Sequence, residues 1–336
     1  MPTAEERLQR GLYWLFFERD VLRGGRRLGP LRRWHLGRLA RLLERKEAGG
    51  LEAVPEVEGC GDREVYEEYV LPRRPVVLRK AALHWPAVGK WSFPYFREVY
   101  GEEEIAIGTD KVERSRETTS YRIGFETLSF REFADRVDAG EALYLKFTPI
   151  LERFPELRED LDLAQLSRWR QRSLEEPGTG QEFYMGGAGS RTDLHAELSD
   201  IFHVCVTGRK RWRFFAPENF LYLYPIPART SFVGSEVDAF RPDETVHPWA
   251  RCARGFEAVL EEGDVLYLPP FTWHAVENPE PAISVNDLSH RHARSLRALP
   301  LPYLNSRLLV DRRRGTAQQF LDSYASMRLP SLHGPA

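Results

Sequence analysis

Thr192-Asp193-Leu194-His195-Ala196-Glu197 and, further along, Gly263-Asp264-Val265-Leu266-Tyr267-Leu268-Pro269-Pro270-Phe271-Thr272-Trp273-His274 decide how this chain is read. In the first phrase a histidine and a glutamate stand two residues apart. On a β-strand that spacing puts both side chains on one face. In the second phrase a short apolar run, of strand length, ends at a proline pair, and a histidine follows. Two imidazoles and one carboxylate on a common wall can occupy one face of an iron(II) ion. They leave the opposite positions open for a cosubstrate and dioxygen. Lys210, just past a turn at Gly208, and Thr192, three residues before His195, supply a cation and a hydroxyl. These suit a distant carboxylate through charge-assisted hydrogen bonds.

Outward from these phrases the pattern is β-rich. Ile201–Val206, Arg211–Phe215, Phe256–Leu260, Val265–Leu268 and Ile283–Asn286 are short β-type runs, parted by turn residues at Gly208, Pro217 and Gly263-Asp264. Many short strands with turn signals predict a sandwich or barrel. Upstream the chain mixes elements. Strands are expected at Val76–Leu78, Glu104–Gly108, Thr118–Ile123 and Leu143–Phe147. Helices are expected at Trp91–Tyr100, with Ser92 as N-cap, at Ser129–Ala139 and at Leu157–Arg172. Ala4–Ala48 reads as two helices broken at Gly24-Gly25. Residues 300–336 read as a helical tail. The expected division is therefore an N-terminal helical extension (1–60), a main β domain (61–295) and a C-terminal tail (296–336). His203 is expected to be a core histidine, and Trp273 a packing residue.

Composition narrows the classes. The chain has 336 residues and a formal net charge of −2, so whole-chain charge names no partner. Its distribution is uneven: Leu22–Lys46 carries nine Arg/Lys and one acid, and Glu47–Glu68 eight acids and one Arg. Such a pair of segments is more often the solvated face of helices that pair with each other than a nucleic-acid or membrane arm. Three widely spaced cysteines make neither a disulfide framework nor a Cys-x-x-Cys zinc site. With no visible signal peptide or transmembrane run, a reducing, cytoplasmic setting is expected.

The combination Thr192-x-x-His195-x-Glu197, Thr207-Gly208-Arg209-Lys210-Arg211-Trp212, Gly263-Asp264-Val265-Leu266-Tyr267-Leu268-Pro269 and Trp273-His274 resembles the Jumonji-C, cupin-like family of iron(II)/2-oxoglutarate oxygenases, in its small hydroxylase branch. Arg74-Pro75-Val76-Val77-Leu78, His84-Trp85-Pro86-Ala87 and Lys90-Trp91 resemble the entry to such domains. The likeness covers roughly residues 64 to 290. It implies a double-stranded β-helix (jelly-roll) core, mainly β with helical additions. It implies His195, Glu197 and His274 as iron ligands, and Lys210, Thr192, Tyr144 and Asn286 as contacts to 2-oxoglutarate. The middle ligand is Glu where relatives of this branch use Asp, and Ile201 stands where one relative has a further polar group. The implied activity is hydroxylation of a C–H bond, with Fe(II), 2-oxoglutarate and dioxygen. A protein or peptide side chain is the expected substrate, followed by a small metabolite and then a tRNA nucleoside; a non-catalytic cupin-like binding protein is the alternative class. The segment Thr316–Met327 resembles the position of a dimerisation element, which implies a homodimer.

Overall fold

The computed structural model describes residues 4–23, 29–115, 120–146, 148–171, 179–197, 199–226 and 232–289. The expected tail and dimerisation segment lie outside the described residues. Within them, the short apolar runs form fifteen strands. In chain order these are β1 (Gly50–Ala53), β2 (Glu56–Glu58), β3 (Val76–Arg79), β4 (Glu104–Ser115), β5 (Ser120–Ser129), β6 (Tyr144–Leu145), β7 (Thr179–Gly186) and β8 (Arg191–Glu197). There follow β9 (Asp200–Thr207), β10 (Lys210–Phe215), β11 (Phe232–Gly234), β12 (Arg254–Leu260), β13 (Val265–Leu268), β14 (Trp273–Glu277) and β15 (Ala282–Ser289).

The strands make two sheets. The smaller has the order β1-β12-β10-β14-β8-β11, and the larger β2-β3-β13-β9-β15-β7-β6-β4-β5. From β12 onward each successive strand changes sheet: β12 and β14 lie in the smaller, β13 and β15 in the larger. This crossing produces a jelly-roll, the cupin-like core with helical additions. β1 and β2 precede residue 61, so the sheets also draw on the end of the N-terminal extension.

Alternation decides which side chains go inside. On β10 Lys210, Trp212 and Phe214 point inward while Arg211 and Arg213 are only partly covered. Trp212 and Phe214 meet Ile201, Cys205, Leu266 and Val276 between the sheets. The outer face of the larger sheet is covered by the helices Phe93–Val99, Phe130–Asp138 and Leu163–Arg170, through Phe96, Phe130, Phe133, Leu166 and Trp169. Each such ring contributes on the order of 2–3 kcal/mol by burial. Helices α1 (Ala4–Arg23) and α2 (Pro30–Glu44) form a hairpin against the smaller sheet, where Trp14 stacks on Phe220 at 3.7 Å between centroids. Three cations of the basic segment are answered by acids of α1: Arg32 pairs with Asp20, Arg38 with Glu5 and Lys46 with Glu6.

Three expectations are corrected. The helix expected over Leu157–Arg172 is two pieces, a 3-10 turn Pro155–Asp160 and a helix Leu163–Arg170. Asp162 separates them because its carboxylate accepts the Gln165 N–H and caps the second piece. The strand expected over Leu143–Phe147 is confined to Tyr144–Leu145, which bridges β4 and β7 by only a few residue pairs. The strands near residues 104–108 and 118–123 run longer, as one hairpin over β4 and β5.

Candidate metal and cosubstrate site

β8 and β14 are antiparallel neighbours, and His195 lies directly opposite His274. Their rings are 4.2 Å apart between centroids. Glu197, two residues along β8, is on the same face, and its Oε1 is 3.9 Å from His274 Nε2. One ligand atom from each of the three lies within 4.8 Å of the other two. The turn that delivers His274 is strained: Phe271 has a φ of 61°. It is held by its N–H donating to the Glu197 carbonyl at 2.8 Å, so the two limbs of the site are tied together.

The donor set fits a divalent cation. His195 Nδ1 lies 2.8 Å from the Asp193 carbonyl, and His274 Nδ1 2.9 Å from the Thr272 carbonyl. A carbonyl oxygen only accepts, so each Nδ1 carries the proton and each Nε2 keeps its lone pair for a metal. Burial holds both imidazoles below their usual pKa, and the proximity of His195 lowers His274 further. Both are therefore neutral near pH 7. Burial, then the carboxylate of Glu182, pushes Glu197 up to about 8. Two neutral imidazoles beside a carboxylate that resists ionisation are a set that a cation relieves.

The other sequence candidates fall into place by strand parity. Thr192 is an odd number of residues from His195 and would face away on a regular strand. The register changes here: Val276 pairs with Thr192, two residues after His274 but three before His195. The extra residue on β8 is a bulge, and it turns Thr192 back to the side of His195 and Glu197. Lys210 is fully buried, and its Nζ donates to the Tyr144 hydroxyl at 3.1 Å. The Gly208 turn that sets its register has a φ of +71°, and an added Cβ would meet the Pro281 carbonyl oxygen at 2.2 Å. Asn286, on β15, is paired in register with His203 on one side and Glu182 on the other.

Sequence reading missed the polar row around Asn286. His203 is buried, as expected of a core histidine, but it has a specific partner: its Nδ1 lies 2.6 Å from Asn286 Oδ1. The Asn286 amide donates to the Tyr184 hydroxyl at 3.2 Å and to Glu182 at 3.3 Å, and Tyr184 donates to Glu182. Parity puts Glu182 and Tyr184 on one face of β7, but only cross-strand register brings them to Asn286 and His203. By contrast Asp264, in the Gly-Asp-Val phrase, is structural. Its carboxylate accepts the N–H groups of Lys80 and Glu261 and pairs with Arg79. Trp273 packs against Phe220, as expected.

Fold and site together define a class: a jelly-roll protein with a His-x-Glu…His cluster between its sheets and a buried lysine further in. Residues 62–287 match the cupin-like domain family, and the chain belongs to that family, which includes the Jumonji-C oxygenases. Among curated proteins it is 27% identical to Lysine-specific demethylase 8 of Xenopus tropicalis, over 70% of this chain and 52% of the relative. It is 25% identical to the bifunctional peptidase and (3S)-lysyl hydroxylase JMJD7 of Homo sapiens, over 66% of this chain and 78% of the relative. It is 27% identical to tRNA wybutosine-synthesizing protein 5 of Gallus gallus, over 73% and 79%. The chain spans about half the length of the lysine-specific demethylases it matches. No helix among the described residues is long and apolar enough to cross a membrane.

Proposed function

We propose that the chain is an iron(II)- and 2-oxoglutarate-dependent oxygenase that hydroxylates a C–H bond, with a protein or peptide side chain as substrate. The observation that carries this is the convergence of His195, Glu197 and His274 within 4.8 Å, with the Nδ1 of both histidines given to backbone carbonyls. In this reading those three residues hold the iron. Bound iron, with 2-oxoglutarate and dioxygen, supplies the oxidising power to insert oxygen into the substrate C–H bond.

The chain's own residues do the positioning. Lys210 neutralises the far carboxylate of 2-oxoglutarate, with the hydroxyls of Tyr144 and Thr192 sharing it. Asn286 borders the cosubstrate with its amide oriented by Glu182 and Tyr184. The carbonyls of Asp193 and Thr272 fix the tautomer of the two histidines, so the ligands need no reorganisation to bind metal. The choice of a protein or peptide substrate is supported by the relative named as a lysyl hydroxylase and by those named as lysine-specific demethylases.

Anaerobic titration of the full chain with iron(II) and 2-oxoglutarate tests this. A weak visible charge-transfer band is expected, absent in His274→Ala. No band in the wild-type chain at saturating iron would support a non-catalytic cupin-like binding protein instead.

A further inference from the structure

Helices α1 and α2 turn one side to the body of the protein and the other to solvent. Tyr13, Trp14 and Phe17 on α1 close on Phe220, and Leu39 and Leu43 on α2 join the same apolar layer. Gln9 meets His35 between the helices, and Asp20 meets Arg32. On the side away from the body stand Leu8 (59% exposed) and Leu15 (65%) on α1, and Leu31 (65%) and Trp34 (51%) on α2. Leu8 and Leu15 share a helix face, two turns or about 10 Å apart. Between them, Gly11 has no described atom within 4 Å of where a Cβ would stand. Across the hairpin, Arg38 donates to Glu5 at 3.1 Å and lies 5.6 Å over the Trp34 ring, which sets the tryptophan beside the first turns of α1. Of the ten large hydrophobic side chains exposed among the described residues, these are four, so they form a patch rather than a scatter.

The charge around the patch has one sign. Residues 30–46 carry six Arg or Lys and one Glu, whereas residues 4–23 carry four of each sign. Arg41 and Arg45 continue the helix side of Trp34 and Arg38, and both are exposed. Leucines edged by arginines, with a tryptophan at the border, suit a helix pair lying on an anionic bilayer. The apolar side chains enter the headgroup boundary, and the guanidinium groups reach lipid phosphates. Other occupants match less of the face. A second copy would set the same arginines against one another. Residues 290–336 carry eight Arg and two Asp, so that segment repeats the charge of the face. A nucleic acid would use the arginines and leave the four apolar side chains in water.

We propose that the outward face of the α1–α2 hairpin is a peripheral membrane-docking surface, in which Leu8, Leu15, Leu31 and Trp34 enter the headgroup boundary of an anionic bilayer and Arg41 and Arg45 contact its phosphates. The hairpin lies on the bilayer and does not cross it. This goes beyond the oxygenase reading and does not depend on it.

Sedimentation of the full chain with lipid vesicles tests the proposal. Binding to vesicles of phosphatidylcholine and phosphatidylserine, about three to one, should exceed binding to phosphatidylcholine alone about tenfold or more at about 0.1 M NaCl. Leu15→Gln/Leu31→Gln and, separately, Arg41→Gln/Arg45→Gln should each weaken the partition about tenfold. The thermal midpoint of each should stay within about 2 °C, because the exchanged side chains are exposed. Equal binding to both vesicle types, binding to neither, or full binding by either variant overturns the proposal. Two further results, each without vesicle binding, overturn it in favour of another occupant. A wild-type mass that rises with concentration and returns to the monomer in Leu15→Gln/Leu31→Gln gives the face to a second copy. Binding of bulk tRNA that Arg41→Gln/Arg45→Gln abolishes gives it to nucleic acid. Should one variant not fold, the other carries the same comparison.

Discussion

Among the described residues, the fully buried cluster around Arg170 and the partly buried one of His195, Glu197 and His274 are built on opposite rules. In one, Arg170 on the helix Leu163–Arg170 reaches Asp200 at the start of β9 and Asp287 near the end of β15. Its Nε donates to Asp200 at 2.7 Å and its Nη2 to the Asp287 carbonyl at 2.6 Å, while Nη1 pairs with the Asp287 carboxylate. The other Asp287 oxygen accepts from Gln181 at 2.7 Å. In the second cluster His195, His274 and Glu197 converge with little between them, Lys210 has a tyrosine hydroxyl for a neighbour, and two aromatic nitrogens have no partner. Both lie within the fold, the second only partly buried at His195 and Glu197. Only the first is saturated. A network whose donors and acceptors are all used pins a helix to two strands; one left short of partners is reserved for something that binds.

The contrast breaks if substitutions in the two clusters have the same consequences. The largest effect is expected from His274→Ala: iron-dependent formation of succinate from 2-oxoglutarate should fall about 1,000-fold or more, with the thermal midpoint nearly unchanged. Turnover retained in this variant would sink the ligand assignment. Arg170→Met should do the reverse in kind. It leaves two buried carboxylates without their cation and should cost about 3–5 kcal/mol in denaturant unfolding. If Arg170→Met were neutral in stability, the saturated cluster would not be the structural one. Lys210→Ala should raise the 2-oxoglutarate Kd roughly 50-fold, the loss of a buried charge-assisted contact. Equal binding by this variant would place the far carboxylate elsewhere.

Much of the convergence of His195, Glu197 and His274 was legible because it depends on local spacing. His195 and Glu197 share a face by strand alternation, and His274 follows a strand with a proline stop. Lys210 was legible through the Gly208 turn. Thr192 was reached by resemblance, and its orientation depends on a β8 bulge that no local pattern displays. The polar row Glu182–Asn286–His203 was not found, because it is a cross-strand row: its members come from β7, β15 and β9 and become neighbours only once register is set. The same distinction holds for the fold. Five β-runs after residue 200 were read closely, since alternation and turns are local signals; β11 and β14 were not, and His274, expected just after a strand, lies on β14. The split of Leu157–Arg172 was missed because the Asp162 carboxylate competes for the backbone at a point where apolar periodicity runs on.

Glu18 on α1 sharpens the comparison by asking whether lack of a partner is enough to mark function. Its Oε1 is buried without a hydrogen-bond partner, and burial raises its pKa to about 7. No metal-type cluster among the described residues includes it. It should therefore be a plain cost. The folded-state pKa lies above the ordinary value of 4.5, so folding favours the protonated form. The penalty is absent below about pH 4.5, grows as pH rises toward 7, and is complete above it. Glu18→Gln removes the titration. After allowance for the side chain's partial exposure, the variant should gain ~1–2 kcal/mol at pH 8 and nothing at pH 4.5. Thermal unfolding at the two pH values measures this, with a rise of a few degrees expected only at the higher one. Loss of stability at pH 8 would mean that the ionised carboxylate is answered by a neighbour and that unpartnered atoms in this fold do not report on binding. A gain confined to high pH, with 2-oxoglutarate affinity unaltered, would separate the buried acid that burdens the hairpin from the ones that serve the site.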